Sequence, residues 1–480
     1  MRAEGLRRWI LAASLGLLGL LYAFDSSGVG LLGPDEPRYA SIGRTMAESG
    51  DWVTTKLWGT PWFEKPPLTY WLIALGHSVG LHDETAARWP VAVISAAFLI
   101  LFFLELEPIF GGWTSWTAAA LLGTSVMWAA YSSVAVTDVP LGATFGGAMV
   151  LGWTGLKRDD DGRLRWAGVL LGLSILAKAL VGPALVLPLV WEARARLRRL
   201  LVPALLALLV AAPWYGVMLC RFGRPFWDDL IVRQHFTRFV TTSLQHVQPW
   251  WFYVPMFAGA LLPWTPFLAI VRWRDAATRF FVLWLAWGLI FFSVAVNKLP
   301  GYLVPLPPPA ALLAALGWQR AAHARLVLAC CVFLLALAPA VVAMLPDVLS
   351  SGFRHVSLGT IPWGWVALAV VPALGVPIFR HPLDIVLAVT LAAAGLFYVK
   401  LNAWPEVDRQ MTARPLWREV APQASATCVE ELPRALRYGL NYYSREVLPD
   451  CRNEDRPFKI RRDGSSAPPL SEPAPGQRPR

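Results

Sequence analysis

The sequence predicts an all-α, multi-pass integral membrane protein with about 13 membrane-crossing helices and a small extracytoplasmic α/β region at its C-terminal end. Three observations carry that prediction. The 480 residues are 56% hydrophobic and only 16% charged, with 25 Trp, which no ordinary soluble domain shows. Apolar runs of about 16–22 residues follow one another, each close to the length a helix needs to cross a bilayer. The basic residues fall in short runs between alternate apolar segments, as in Lys157-Arg158 and from Arg194 to Arg199 and Arg272 to Arg279. The net charge of +11 therefore reads as loops retained on the cytoplasmic side, and no nucleic-acid partner is expected.

Taken in order, Arg7 and Arg8 precede the apolar run 9–24, which no small-residue cleavage site follows, so it reads as a first membrane helix and not a signal peptide. The segment 25–88, a first periplasmic loop on this topology, is too polar to span and too apolar to float free. Within it Tyr39, Ile42 and Met46 recur at helical spacing opposite Arg38, Arg44 and Glu48, predicting a helix at the membrane surface. The run 68–81, anchored by Tyr70 and Trp71, is a second surface element; counting it as a span would put every later Arg run outside. Further spans are expected near 88–106, 113–135, 139–156, 164–178, 180–193, 200–219, 250–271, 279–297, 302–318, 325–345, 361–379 and 383–400. Of the inner loops this makes, only the turn from Glu105 to Gly112 lacks a positive charge.

A transmembrane unit is therefore expected over 1–400, a small periplasmic domain over 401–460, and a disordered Pro-, Ser- and Gly-rich end over 461–480. Cys428 and Cys451, in an oxidising compartment, are expected to pair, while Cys220, Cys330 and Cys331 read as small buried hydrophobes.

Ionisable residues kept beside hydrocarbon are costly and point to function. Asp35, Glu36, Arg38, Glu64, Lys65, Asp138, Lys178, Arg233, His235, Arg238, Lys298 and Tyr302 come from separate segments, yet on this topology all lie at the outer ends of helices or in outer loops. Mixed carboxylates and cations suit a substrate with an anionic phosphate: cations neutralise its oxygens, and a carboxylate can take a proton from an attacking hydroxyl. Each residue also has a plain structural alternative. Asp35 or Glu36 ahead of Pro37, and Asp138 after Thr137, can cap helices; Glu64-Lys65 can be a solvated turn, Lys178 a snorkelling anchor and His235 a surface residue. A transporter of lipid-linked sugars would place its polar groups near the midplane, whereas these gather at one edge.

The same residues carry a family resemblance. Gly33-Pro34-Asp35-Glu36-Pro37-Arg38-Tyr39-Ala40, Glu48-Ser49-Gly50-Asp51-Trp52-Val53 and Phe63-Glu64-Lys65-Pro66-Pro67-Leu68-Thr69-Tyr70-Trp71 resemble the first outer loop of the bacterial aminoarabinose transferases that modify lipid A. More distantly, they are similar to the dolichyl-phosphate-mannose protein mannosyltransferases. Thr137-Asp138, the stretch from Leu176 to Pro183, the stretch from Arg233 to Phe239, and Lys298-Leu299-Pro300-Gly301-Tyr302 continue the match in order over about the first 400 residues.

The resemblance implies a GT-C type membrane glycosyltransferase with a polyprenyl-phosphate-sugar donor. It implies transfer of 4-amino-4-deoxy-L-arabinose or a related sugar to lipid A or another envelope glycan, on the periplasmic face of the bacterial inner membrane. Transfer of a mannose-type hexose to a protein hydroxyl is the alternative. By position, Asp35, with Glu36 beside it, and Asp138 would be catalytic; Arg38, Tyr39, Lys65, Lys178, Arg238, Lys298 and Tyr302 would bind the donor phosphate and lipid. A zinc ion would be held in part by Glu64 and His235. Gln234 stands where the family has Glu, which removes a potential ligand, and the short exported tail leaves the acceptor open.

Overall fold

In the computed structural model, residues 2–237, 247–351, 362–379, 383–454, 456–461 and 470–473 are described, and the expected first span is one helix, α1 (Arg2–Ala23). Among the described residues six helices are long and apolar enough to cross a membrane by length and composition, within Gly5–Ala23, Asp83–Phe110, Asp138–Lys157, Leu197–Phe222, Ala324–Pro346 and Asp384–Met411. The chain is an all-α multi-pass membrane protein.

Between α1 and the second long helix lie α2 (Asp35–Ser49), a hairpin of β1 (Lys56–Leu57) and β2 (Thr60–Pro61), and α3 (Leu68–Ser78). With 11 residues, α3 is only about 16 Å long, half a bilayer core, and it packs between α2 and α4 (Asp83–Phe110) without spanning. Tyr39, Ile42 and Met46 form the buried face of α2 as expected, but Arg38 and Arg44 on its other side are buried too. The reason is tertiary. Arg44 donates to the Tyr442 carbonyl at 2.9 Å and lies 4.2 Å from that ring, so the C-terminal region covers the face expected to be solvated.

Several expected continuous spans are interrupted for local reasons. The run 113–135 divides into α5 (Gly112–Gly123) and α6 (Val126–Ser132), and the Val126 N–H released at the break is satisfied by the Leu262 carbonyl at 2.8 Å. The runs 180–193 and 250–271 each fall into short helical pieces around their prolines, which cannot donate to a helix ladder. The helices α7 (Asp138–Lys157) and α8 (Asp161–Lys178) run close to their expected bounds.

Ion pairs sort by end of the bundle in the way the loop charges predict. Arg8–Glu107, Lys157–Glu192, Arg163–Glu105, Arg199–Asp161, Arg320–Asp275 and Arg325–Asp384 join segments assigned to one side. Arg88–Glu36, Lys178–Asp138, Arg221–Asp51 and Arg445–Glu48 join segments assigned to the other.

The expected boundary after residue 400 falls inside a helix that continues from Asp384 to Met411, because polar side chains there pair along it, as in Glu406–Arg409. Lys400 is buried and donates to the carbonyls of Leu21, Tyr22 and Phe24, satisfying the orphan end of α1. Asp408 accepts from the Gly30 N–H at 2.7 Å and pairs with Arg414, which also reaches the Gly28 carbonyl. The segment ahead of α2 is thus held by residues from the far end of the chain.

Beyond it lies the small α/β region. Strands β3 (Thr427–Glu431) and β4 (Phe458–Arg461) pair parallel, with helix Arg434–Tyr443 in the crossover, and β5 (Leu470–Pro473) adds antiparallel to β4. β5 lies inside the stretch expected to be disordered; it is ordered by pairing with β4. Cys428 and Cys451 are bonded, 23 residues apart, and enclose that helix. Closing a loop of that length stabilises by about 3 kcal/mol, so Cys428→Ala/Cys451→Ala is expected to raise amide exchange of helix Arg434–Tyr443 well above that of α7. Unchanged exchange would leave the bond without structural weight.

Candidate active site

Helix α2 begins at Asp35, with Pro34 at its N-cap and no side-chain cap bond. The Asp35 carboxylate turns instead to the Arg38 guanidinium one turn on, and remains 45% exposed. Arg38 also donates to Glu64 at 2.5 Å and to the Pro34 carbonyl at 2.9 Å, and Glu64 is 3.2 Å from the Lys65 ammonium. Burial works against the Arg38 charge, but Glu64 and Asp35 overcome it and hold its pKa above the ordinary value.

A second charged group is built the same way. Asp138 opens α7 without capping it, and its carboxylate meets Lys178 at 2.7 Å, the last residue of α8. Lys178 lies 4.7 Å from the Tyr302 ring. The residue after Lys178, Ala179, has φ +46°, a conformation an L-residue adopts at a cost, of the kind that accumulates at functional sites. Gly301 leaves room for Asp138: a Cβ there would stand 2.9 Å from the carboxylate carbon and from the Tyr131 ring. Tyr131 stands beside Asp138 at the same position.

The structure thus brings together Asp35, Arg38, Glu64 and Lys65 in one group and Asp138, Lys178 and Tyr302 in the other. It places three expected residues elsewhere. Glu36 is fully buried and accepts from Arg88 through both oxygens at 2.7 Å, from Leu32 N–H at 2.7 Å and from Ala135 N–H at 2.8 Å. With that many donors it is a clamp and not a proton acceptor. Tyr39 packs edge-on to Tyr70 with ring centroids 5.5 Å apart in a small apolar core, where burial raises its pKa well above the usual value. Its ring lies 6.0 Å from the Arg38 guanidinium. Lys298 donates to the carbonyls of Gln248 and Ala295 and pins its own loop. Arg238 and the His235 side chain lie outside the described residues.

Tyr131, Gly301 and Trp62 were not singled out from the sequence as parts of the site. Trp62, whose ring is 5.6 Å from Arg38, stands two residues before Glu64 in the hairpin. Among the described residues no group of three or more His, Cys, Asp or Glu is gathered for a metal. Glu64 faces Arg38 and Lys65.

The comparisons with known proteins agree with this architecture. The family described as dolichyl-phosphate-mannose-protein mannosyltransferase matches residues 64–216. An undecaprenyl phosphate-alpha-4-amino-4-deoxy-L-arabinose arabinosyl transferase of Pseudomonas fluorescens is 33% identical over 330 residues, covering 64% of this chain and 56% of the relative. The corresponding transferase of Pseudomonas aeruginosa is 34% identical over 339 residues, covering 64% of this chain and 59% of the relative. The chain spans less than two thirds of the length of these relatives. The crystal structure of ArnT from Cupriavidus metallidurans bound to undecaprenyl phosphate superposes with a TM-score of 0.72 at 23% identity, covering 92% of this chain and 85% of that one. The chain shares its fold with that crystal structure and is similar in sequence to the arabinosyl transferases over 330–339 residues.

Proposed function

We propose that this protein is a glycosyltransferase that moves a sugar, 4-amino-4-deoxy-L-arabinose or a close relative, from undecaprenyl phosphate to an envelope acceptor such as lipid A. The observation that carries the reading is that two carboxylates at helix starts, Asp35 and Asp138, are withdrawn from capping and set against Arg38 and Lys178 at one end of the bundle. The acceptor oxygen forms a bond to the anomeric carbon as the carbon–oxygen bond to the carrier phosphate breaks. The electron pair leaves on the phosphate, whose charge Arg38, Lys65 and Lys178 neutralise. Where the acceptor is a hydroxyl, Asp35 takes its proton. The names of the Pseudomonas relatives and of the Cupriavidus metallidurans complex support the donor.

Charge-assisted contacts to phosphate contribute about 1.5–3 kcal/mol, so Lys65→Ala is expected to weaken binding of bare undecaprenyl phosphate in nanodiscs about 10- to 100-fold. Equal affinities for wild type and variant would remove Lys65 from the donor site and count against the reading.

The active site faces the periplasm from the inner membrane in this proposal, which the sorting of ion pairs and of Arg-rich loops supports. Alkaline phosphatase fused after Ala403 should be active and after Arg196 inactive. The reverse pattern would overturn the orientation.

A further inference from the structure

Arg38 is more enclosed than Lys65 or Lys178, with 6% of its side chain exposed against 13% and 12%. Among the described residues it donates through Nε to the Pro34 carbonyl, through Nη1 to Glu64 and through Nη2 to Asp35. A guanidinium carries five N–H groups, so these bonds leave two for a ligand. The rest of its support is aromatic. The guanidinium stands over the rings of Trp62 at 5.6 Å and Tyr438 at 5.4 Å. A ring face attracts a cation through its quadrupole and not through an acceptor oxygen, so it steadies Arg38 without occupying another N–H.

Trp62 belongs to the hairpin beside Glu64, but Tyr438 arrives from the C-terminal α/β region. Its helix, Arg434–Tyr443, is docked on the segments around α2 by contacts that do not involve Arg38. Arg44 donates to the Tyr442 carbonyl, and the Tyr443 hydroxyl accepts from the Leu31 N–H at 3.0 Å and donates to Glu84 at 2.6 Å. The Tyr438 ring packs on Trp58 with centroids 5.2 Å apart, and its hydroxyl accepts from Arg434 at 3.4 Å. Trp58 has φ +49°, a conformation that a residue with a bulky side chain adopts at a cost. Tyr438 is thus fixed through both its ring and its hydroxyl.

We infer that Tyr438 is a positioning residue for Arg38: its ring holds the guanidinium so that the two remaining N–H groups meet the carrier phosphate, which makes the C-terminal α/β region part of the donor site. The ring acts through Arg38 and not on the phosphate itself. Packing against Trp58 alone would need only an apolar side chain, whereas holding a cation needs a π face. The inference rests on the reading of Arg38 as a contact to the donor phosphate.

The test is the affinity of the purified full-length protein for bare undecaprenyl phosphate in nanodiscs, beside a melting curve. Tyr438→Leu keeps an apolar side chain against Trp58 and removes the π face. It should weaken the carrier about 5- to 10-fold, the factor that an enclosed cation–π contact supplies, with the melting temperature unchanged. Tyr438→Phe should restore the wild-type affinity. In an Arg38→Gln background, where the carrier is already held more weakly, Tyr438→Leu should have no further effect. If the Leu and Phe variants bind the carrier alike, or if Tyr438→Leu weakens it as much in the Arg38→Gln background as in wild type, Tyr438 is a packing residue and the inference fails. Should Arg38→Gln not fold, the comparison of Tyr438→Phe with Tyr438→Leu decides. Weaker binding in Arg38→Gln but not in Tyr438→Leu would sink the inference and keep the donor reading, whereas wild-type binding in a folded Arg38→Gln would sink both.

Discussion

Asp35→Asn is expected to lower sugar transfer by about 10²–10⁴-fold, the usual contribution of a positioned proton acceptor, while the protein stays folded. The amide keeps the size of the side chain, Arg38 retains Glu64 as an ionic partner, and no backbone cap is lost because Asp35 makes none. The measurement is turnover in nanodiscs beside a melting curve. Undiminished turnover would reduce Asp35 to a partner for Arg38, and a lowered melting temperature would make its role structural.

Glu36, one position along, should behave in the opposite way. It and Arg88 are both fully buried, and Arg88 also holds the carbonyls of Ser26, Val29 and Gly30 at 2.6–2.8 Å. Removing either partner strands a charge with no water to solvate it, so Glu36→Ala or Arg88→Ala is expected to cost about 3–5 kcal/mol of stability. Chemical denaturation would show it as a shifted midpoint. A Glu36→Gln variant that folds with wild-type stability yet has no turnover would instead return Glu36 to the chemistry.

These two neighbours show how far the residues alone could be followed. The motif from Gly33 to Ala40 points to the candidate site, and the alternation of Arg-rich loops sorts the ion pairs by end of the bundle, because both are local or additive properties of the chain. That Asp35 faces outward and Glu36 inward depends on α4 supplying Arg88 from 52 residues away, which no local pattern encodes. Arg38 and Arg44 looked like the solvated face of a surface helix because their cover, Tyr438 and Tyr442, comes from beyond the resemblance altogether. The interruptions at 124–125 and around the prolines of 250–271 were likewise hidden by continuous apolarity, which reports burial but not whether the backbone is unbroken.

The latch on the segment before α2 also carries a timetable. Gly30 waits for Asp408, and the carbonyls ending α1 wait for Lys400, 378 and 376–379 residues further along. At about 5–20 residues per second, a ribosome needs roughly 20–75 s to make the intervening chain. From the synthesis of Lys178 onward the nascent protein contains Asp35, Arg38, Asp138 and Lys178, but not yet the bonds that hold the segment ahead of the first of them. The bonds that fix the segment ahead of α2 would thus form only after Asp384–Met411 is made, and a chain stopped before Lys400 would hold Asp35 and Arg38 on an unlatched segment.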